Sequence, residues 1–113
     1  MAQCIFCSIA AGEVPAQIVA EEAEFIAFRD IAPKAPVHVV VIPRRHVPSL
    51  AAAADLPETV RARMPVFLAE VADLEGLGPA GYRVVTNHGP DSRQSVFHLH
   101  WHVLGGTLLS DAM

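Results

Sequence analysis

Apolar and polar positions follow different periods along this chain, and each change of period predicts an element. Residues Ile5 to Ala11 suit a short helix stopped by Gly12, with Pro15 just beyond. Three short apolar segments then predict strands: Gln17 to Ala20, Phe25 to Arg29, and the β-branched run His38 to Ile42, closed by Pro43. Helical spacing follows through Val60, Met64, Phe67, Leu68, Val71 and Leu74 to a stop at Gly76 or Gly78. Asp55-Leu56-Pro57-Glu58 carries start signals for this long helix: a capping Asp, an early Pro and an acidic first turn. Pro65 lies inside it and predicts a kink or a later start. Two strands complete the chain, Tyr82 to Asn87 and Val96 to Leu104, the second ended by Gly105-Gly106. Short helix, three strands, long helix, two strands predict an α+β domain with a largely antiparallel five-stranded sheet.

Composition narrows this picture. At 113 residues, without repeat, low-complexity stretch or linker, the chain reads as one domain over 1–113. With 52% hydrophobic and 18% charged residues it belongs with globular rather than disordered chains. No apolar run approaches the ~20 residues of a membrane span, and the longest candidate, Leu50 to Leu56, contains Asp55. The N-terminus lacks a basic segment followed by an apolar one, so a cytoplasmic protein without membrane partners is expected. The net charge of −4 and a single lysine, Lys34, argue against nucleic acid as a partner. An anionic small ligand would have to be held by neutral donors, histidines and backbone N–H groups.

The informative segment is Gln94-Ser95-Val96-Phe97-His98-Leu99-His100-Trp101-His102-Val103-Leu104. On a strand its alternation puts His98, His100 and His102 on one face, with Phe97, Leu99, Trp101 and Val103 on the other, against the helix. Each neutral imidazole brings a donor and an acceptor that need partners if buried, so three in a row make a poor core. A metal face and a set of acid, base and nucleophile groups are the two functional readings. At about 3.3 Å per residue the outer rings lie roughly 13 Å apart, so at most two neighbours can ligate one ion with ~2.1 Å bonds. That spacing favours dividing the histidines among different tasks. Cys4-Ile5-Phe6-Cys7 has the spacing of a metal half-site or a redox pair, and also suits two small buried residues at a helix start. No P-loop glycine pattern and no acidic cluster for magnesium is present.

His98-Leu99-His100-Trp101-His102-Val103-Leu104 resembles the His-φ-His-φ-His-φ-φ signature of the histidine triad (HIT) superfamily. Cys4-Ile5-Phe6-Cys7, Ala27 through Pro33, His38 through Pro43, Gly81-Tyr82-Arg83 and His102 through Gly106 resemble, in order, its Hint branch. The resemblance covers nearly the whole chain and implies a HIT-like fold whose sheet extends across a homodimer. It implies hydrolysis or transfer of nucleoside phosphoramidates, with release of a purine nucleotide such as AMP. His100 would be the nucleophile, forming a nucleotidyl-histidine intermediate that water discharges, a role that suits neutral imidazole. His102 would donate to a non-bridging phosphoryl oxygen, Ser95 to a phosphoryl oxygen or the leaving nitrogen, and His38 would help move a proton to the leaving amine. Asp30 matches the acceptor of ribose hydroxyls, and Ile31, Phe28, Phe6, Ile9 and Val40 the apolar base pocket. Asn87, Arg93, Gln94 and Ser95 fall at phosphate-contact positions.

The same resemblance implies structural zinc on Cys4, Cys7, His46 and His98, while the lack of an acidic cluster leads us to expect turnover without a divalent metal. Two departures stand out. Arg93 occupies a position where the family has glycine, which bears on the leaving group accepted, and the tail Thr107 to Met113 is short and without aromatics. Three rivals remain: a dinucleoside polyphosphate hydrolase of the Fhit type, a nucleotide- or zinc-binding interaction module with little turnover, and a redox protein built on Cys4 and Cys7.

Overall fold

The computed structural model describes residues 4–111. A short helix α1 (Ile5–Ala10) leads into strands β1 (Ile18–Glu21), β2 (Phe25–Arg29) and β3 (Val37–Pro43). A 3₁₀ turn (Leu50–Asp55), helix α2 (Glu58–Leu74), β4 (Tyr82–Val85), a second 3₁₀ turn (Pro90–Ser92) and β5 (Trp101–Gly105) follow. The strands form one antiparallel sheet in the order β1-β2-β3-β5-β4. The expected α+β class, the five-stranded antiparallel sheet and the one short and one long helix are all present.

Strand alternation sorts the core onto two faces. Phe25, Ala27, Val39, Val41, Val103 and Leu99 pack against the buried stripe Val60, Met64, Phe67, Leu68, Val71 and Ala72 of α2. Phe25 and Phe67 stack at 5.5 Å between ring centroids. Ile26, Phe28, Val40 and Ile42 occupy the opposite face and are covered by Phe6, Ile9 and Ala10 of α1 together with Ala16. Register extends that second face across the sheet, because Phe28 lies opposite Val40 and Val40 opposite His102.

Several local expectations are corrected. Asp55 does not cap α2: it closes the 3₁₀ turn Leu50–Asp55, whose own cap is the Ser49 side chain, and α2 begins after Pro57 with no side-chain cap. The alanine-rich run 51–54, read only as an apolar stretch, is that turn. Helix α2 runs through Pro65 from Glu58 to Leu74, so the start is not delayed, although Pro65 has no N–H to donate to the Arg61 carbonyl.

The last correction concerns the histidine segment, where regular strand covers only Trp101–Gly105, not Val96 to Leu104. Pairing of β5 ends at Val41↔Trp101 on one side and Val85↔His102 on the other, so residues 96–100 have no strand beside them. They use single bonds instead: the Leu99 N–H donates to the Val47 carbonyl at 2.7 Å, and the Thr86 hydroxyl to the His100 carbonyl at 2.6 Å. Leu99 and Val103 keep their core positions, but Phe97 is 62% exposed rather than buried. β4 likewise stops at Val85 instead of Asn87, freeing Thr86 for the bond just described.

Candidate active site and metal cluster

The extended run from His98 to His102 places three imidazoles against three different sets of partners. His98 is fully buried, His100 nearly so, and His102 partly. No buried side-chain nitrogen or oxygen among the described residues lacks a hydrogen-bond partner, so the position of each proton can be followed along the network.

At one end, His98 Nε2 lies 2.7 Å from the Pro43 carbonyl, an acceptor only, so the proton sits on Nε2 and Nδ1 carries a lone pair. That lone pair faces Cys4 Sγ at 3.4 Å, Cys7 Sγ at 3.5 Å and His46 Nδ1 at 3.2 Å, while Cys7 Sγ lies 3.3 Å from His46 Nδ1. Two ligands of a tetrahedral ion with Zn–S of about 2.3 Å and Zn–N of about 2.05 Å stand roughly 3.5 Å apart for S and N, and roughly 3.3 Å for two nitrogens. The four donors match this geometry and are close enough to hold a metal ion. Helix α1 supplies both sulfurs: Cys4 is its N-cap and accepts the Cys7 N–H. Burial, then the neighbouring Cys4 sulfur, push the Cys7 thiol up to about 11. A divalent cation would reverse that preference by favouring the thiolate.

At the other end, the chain of donors starts at a backbone amide. The Lys34 N–H donates to His38 Nδ1 at 3.0 Å, which fixes the His38 proton on Nε2. His38 Nε2 in turn lies 2.8 Å from His102 Nδ1, so His38 donates and the His102 proton is left on Nε2. Asp30 stands beside the pair, its Oδ2 at 3.4 Å from His38 Nε2 and 3.9 Å from His102 Nδ1, while Oδ1 accepts the Ala32 N–H at 2.8 Å. Desolvation lowers the pKa of both rings, and desolvation together with neighbouring His100 and His38 brings His102 down to about 4. Asp30, His38 and His102 also lie close enough to hold an ion. Ligation through His38 Nε2 would move its proton onto Nδ1, against the Lys34 N–H. The set therefore works as a hydrogen-bond chain.

His100 lies between the two ends. Its Nδ1 is 2.7 Å from the His98 carbonyl and so carries the proton, leaving the lone pair on Nε2, which meets no partner among the described residues. Phe6 packs edge-on against this ring at 5.0 Å and against Phe28 at 5.5 Å. The result is a lone pair at His100 Nε2, an N–H at His102 Nε2 and an apolar floor of Phe6, Ile9, Phe28 and Val40 in one region of the sheet face.

Other residues singled out in the sequence fall less evenly. Ile31 is fully exposed beside Asp30 and does not join the apolar cluster. Gln94 spends its side chain on the loop, with Oε1 accepting the Gly89 N–H at 3.0 Å and Nε2 donating to the Pro48 and Val96 carbonyls at 2.8 and 3.1 Å. Asn87 is half-buried, whereas Arg93 and Ser95 are exposed on the same 86–95 loop. The sequence reading missed His88, whose Nδ1 lies 2.7 Å from the buried Ser49 hydroxyl and ties this loop to the Val47–Leu50 segment. Its one signal was proximity to Asn87, since no spacing links it to Ser49.

A HIT domain model matches residues 11–108, so the chain belongs to the histidine triad family. Protein HitA of Neisseria gonorrhoeae is 44% identical over 105 residues, covering 93% of this chain and 97% of that protein. A HIT family hydrolase from Legionella pneumophila superposes with a TM-score of 0.88 at 37% identity, over 97% of this chain and 98% of that one. A histidine triad protein from Clostridium difficile gives 0.87 at 37% identity over 100% of both. No helix among the described residues is long and apolar enough to cross a membrane.

Proposed function

We propose that the protein is a nucleotide hydrolase or transferase acting on purine nucleoside phosphoramidates, with His100 as nucleophile and AMP as the released nucleotide. The carrying observation is the pair of fixed tautomers, a lone pair on His100 Nε2 beside an outward N–H on His102 Nε2. His100 Nε2 attacks the α-phosphorus and forms a P–N bond as the bond to the leaving amine breaks. The His102 N–H and the Ser95 hydroxyl donate hydrogen bonds to the phosphoryl oxygen and the leaving nitrogen, and the proton with which the amine departs is taken up from solvent. Water then cleaves the nucleotidyl-imidazole, returning His100 to its starting state.

In this reading His38 acts through His102 rather than on the leaving group, because its Nε2–H is already committed to His102 Nδ1. Asp30 has spare lone pairs for ribose hydroxyls, and the base would lie on Phe6, Ile9, Phe28 and Val40, with Ile31 at the rim. Asn87 and the 93–95 backbone would face the phosphate. Zinc on Cys4, Cys7, His46 and His98 would hold α1, and with it Phe6, in place; the donor spacing and the mixed sulfur and nitrogen set support that metal.

A homodimer joined along β4 belongs to the same reading. β4 is an outer strand of the sheet, with one edge open to pairing and Tyr82 partly exposed on it. Light scattering after size-exclusion chromatography should give about twice the 12.1 kDa chain mass; a monomer at micromolar concentration would overturn this part.

Hydrolysis of an adenosine phosphoramidate by wild type and His100→Ala tests the function. Turnover to AMP should fall by at least about 10³-fold in the variant, with the fold and metal content unchanged. Cleavage of a dinucleoside polyphosphate but not the phosphoramidate would retain the chemistry and change the substrate. Inactivity on both would leave a nucleotide-binding module.

A further inference from the structure

His100 lies just beyond the end of the sheet pairing. The ladder stops at Val41↔Trp101 beside β3 and at Val85↔His102 beside β4. Continued by two residues in that register, β4 would bring Asn87 opposite His100, but the strand ends at Val85. Thr86, the next residue, reaches across with its side chain instead, and its hydroxyl donates to the His100 carbonyl at 2.6 Å. The residues before His100 are held from the β3 side, His98 Nε2 by the Pro43 carbonyl and the Leu99 N–H by the Val47 carbonyl. Thr86 is the anchor from the β4 side.

This anchor bears on the ring. His100 Nδ1–H donates to the His98 carbonyl at 2.7 Å, two residues back on the same run, and Phe6 meets the ring edge-on at 5.0 Å. The Nδ1 bond ties the ring to its own run and not to the sheet, so the ring moves with that run. Thr86 fixes the main chain of His100 against the end of β4, and with it where Nε2 stands over the sheet face. The fold alone does not call for the hydroxyl. A valine continuing Val84-Val85 would suit the end of β4 equally well in shape and β propensity.

We propose that Thr86 is a positioning residue for His100: its hydroxyl holds the His100 main chain where Nε2 meets the α-phosphorus in line. This rests on the hydrolase reading above and deepens it by adding a residue that acts through the His100 backbone. Attack needs the nucleophile about 3–3.5 Å from the reacting atom with its lone pair aligned, and a displacement of about 1 Å costs on the order of 10²-fold in rate. In the same reading the nucleoside is held by Asp30 and the apolar floor, so loss of the anchor falls on the chemical step and not on affinity. No bond to Thr86 forms or breaks, and no proton leaves it.

Two variants separate the hydroxyl from the rest of the side chain. Thr86→Val keeps shape and β-branching but removes the donor, whereas Thr86→Ser keeps the donor. On an adenosine phosphoramidate, kcat should fall about tenfold in Thr86→Val with KM within about twofold of wild type, and Thr86→Ser should recover most of the rate. The His100 Nδ1–H, followed by NMR of isotope-labelled protein, should exchange with water several-fold faster in Thr86→Val than in wild type or Thr86→Ser. Each variant is assayed below its own Tm, so that lost stability is not read as lost rate. Equal kcat in wild type and Thr86→Val, a loss confined to KM, or a Thr86→Ser as slow as Thr86→Val would overturn the proposal. Unchanged exchange at His100 would do the same. A wild type inactive on phosphoramidates, whose His100 exchange still responds to Thr86→Val, would overturn the hydrolase reading and keep the positioning role.

Discussion

His98 and His102 stand four residues apart on one extended run, and burial lowers the pKa of both, yet they are prepared for different work. At His98 a backbone carbonyl takes the Nε2 proton, so the Nδ1 lone pair faces two sulfurs and a second imidazole. At His102 a neighbouring imidazole donates to Nδ1, so a proton points outward from Nε2. The rings are alike, and what differs is the partner behind each one. A single acceptor or donor on the far nitrogen decides whether the near one is a ligand or a proton donor. His100, with a carbonyl on Nδ1, follows the His98 pattern but has no sulfur in front of it, which leaves an open lone pair on Nε2.

This contrast breaks most visibly at the metal end. Stripping the metal, or replacing Cys7 by Ser, should reduce zinc from about one per chain to well below half and lower Tm by about 10 °C or more. Turnover measured below the new Tm should change only a few-fold, because the proposed mechanism routes no step through that ion. Abolished activity with an intact fold would show that the two ends are not separate in function.

The opposite perturbation is His38→Leu, which removes the Nε2–H that sets the His102 tautomer. We expect a fall of about 10- to 100-fold in kcat with zinc content unaltered. Unchanged kcat would mean that His102 finds its tautomer without help, and that the hydrogen-bond chain is structural only.

A smaller effect sharpens the same comparison through pH. His38 and His102 are both held below their ordinary value of 6.5, His102 at about 4. Such groups stay neutral in the folded chain while the unfolded chain takes up protons. Stability from this source is therefore complete above about pH 6.5 and falls as pH drops toward 4, by on the order of 2 kcal/mol, or several degrees of Tm. Thermal melts at pH 7 and pH 5 check the sign, and the slope should shrink in His102→Asn. A Tm that rises on acidification across that window would contradict the burial of this pair.

Much of this arrangement was legible in the residues. Helix and strand periods placed α1, β2 and the interior of α2 within a residue or two, because amphipathic faces and β-branched runs are local properties. Alternation through His98, His100 and His102, with Leu99, Trp101 and Val103 between, separated a polar face from a core face. The spacing argument against one ion shared by all three histidines followed from strand geometry alone. The four metal candidates came from the family resemblance, since Cys4 and His98 are 94 residues apart and no local pattern joins them, whereas the His38–His102 contact was found only in the structure.

Only the tertiary structure decided where regular strand gives way to single bonds. A strand needs a neighbour, and neither β3 nor β4 extends beside residues 96–100, so Phe97 turned outward although its position in the alternation predicted burial. It also decided the tautomers, because the Pro43 and His98 carbonyls and the Lys34 amide are backbone groups whose direction depends on the fold. The sequence determined that histidines, cysteines and an apolar floor would be available on this chain. Which nitrogen of each ring faces its neighbour, and so which ring can bind metal, donate or attack, depends on backbone groups that only folding brings into place.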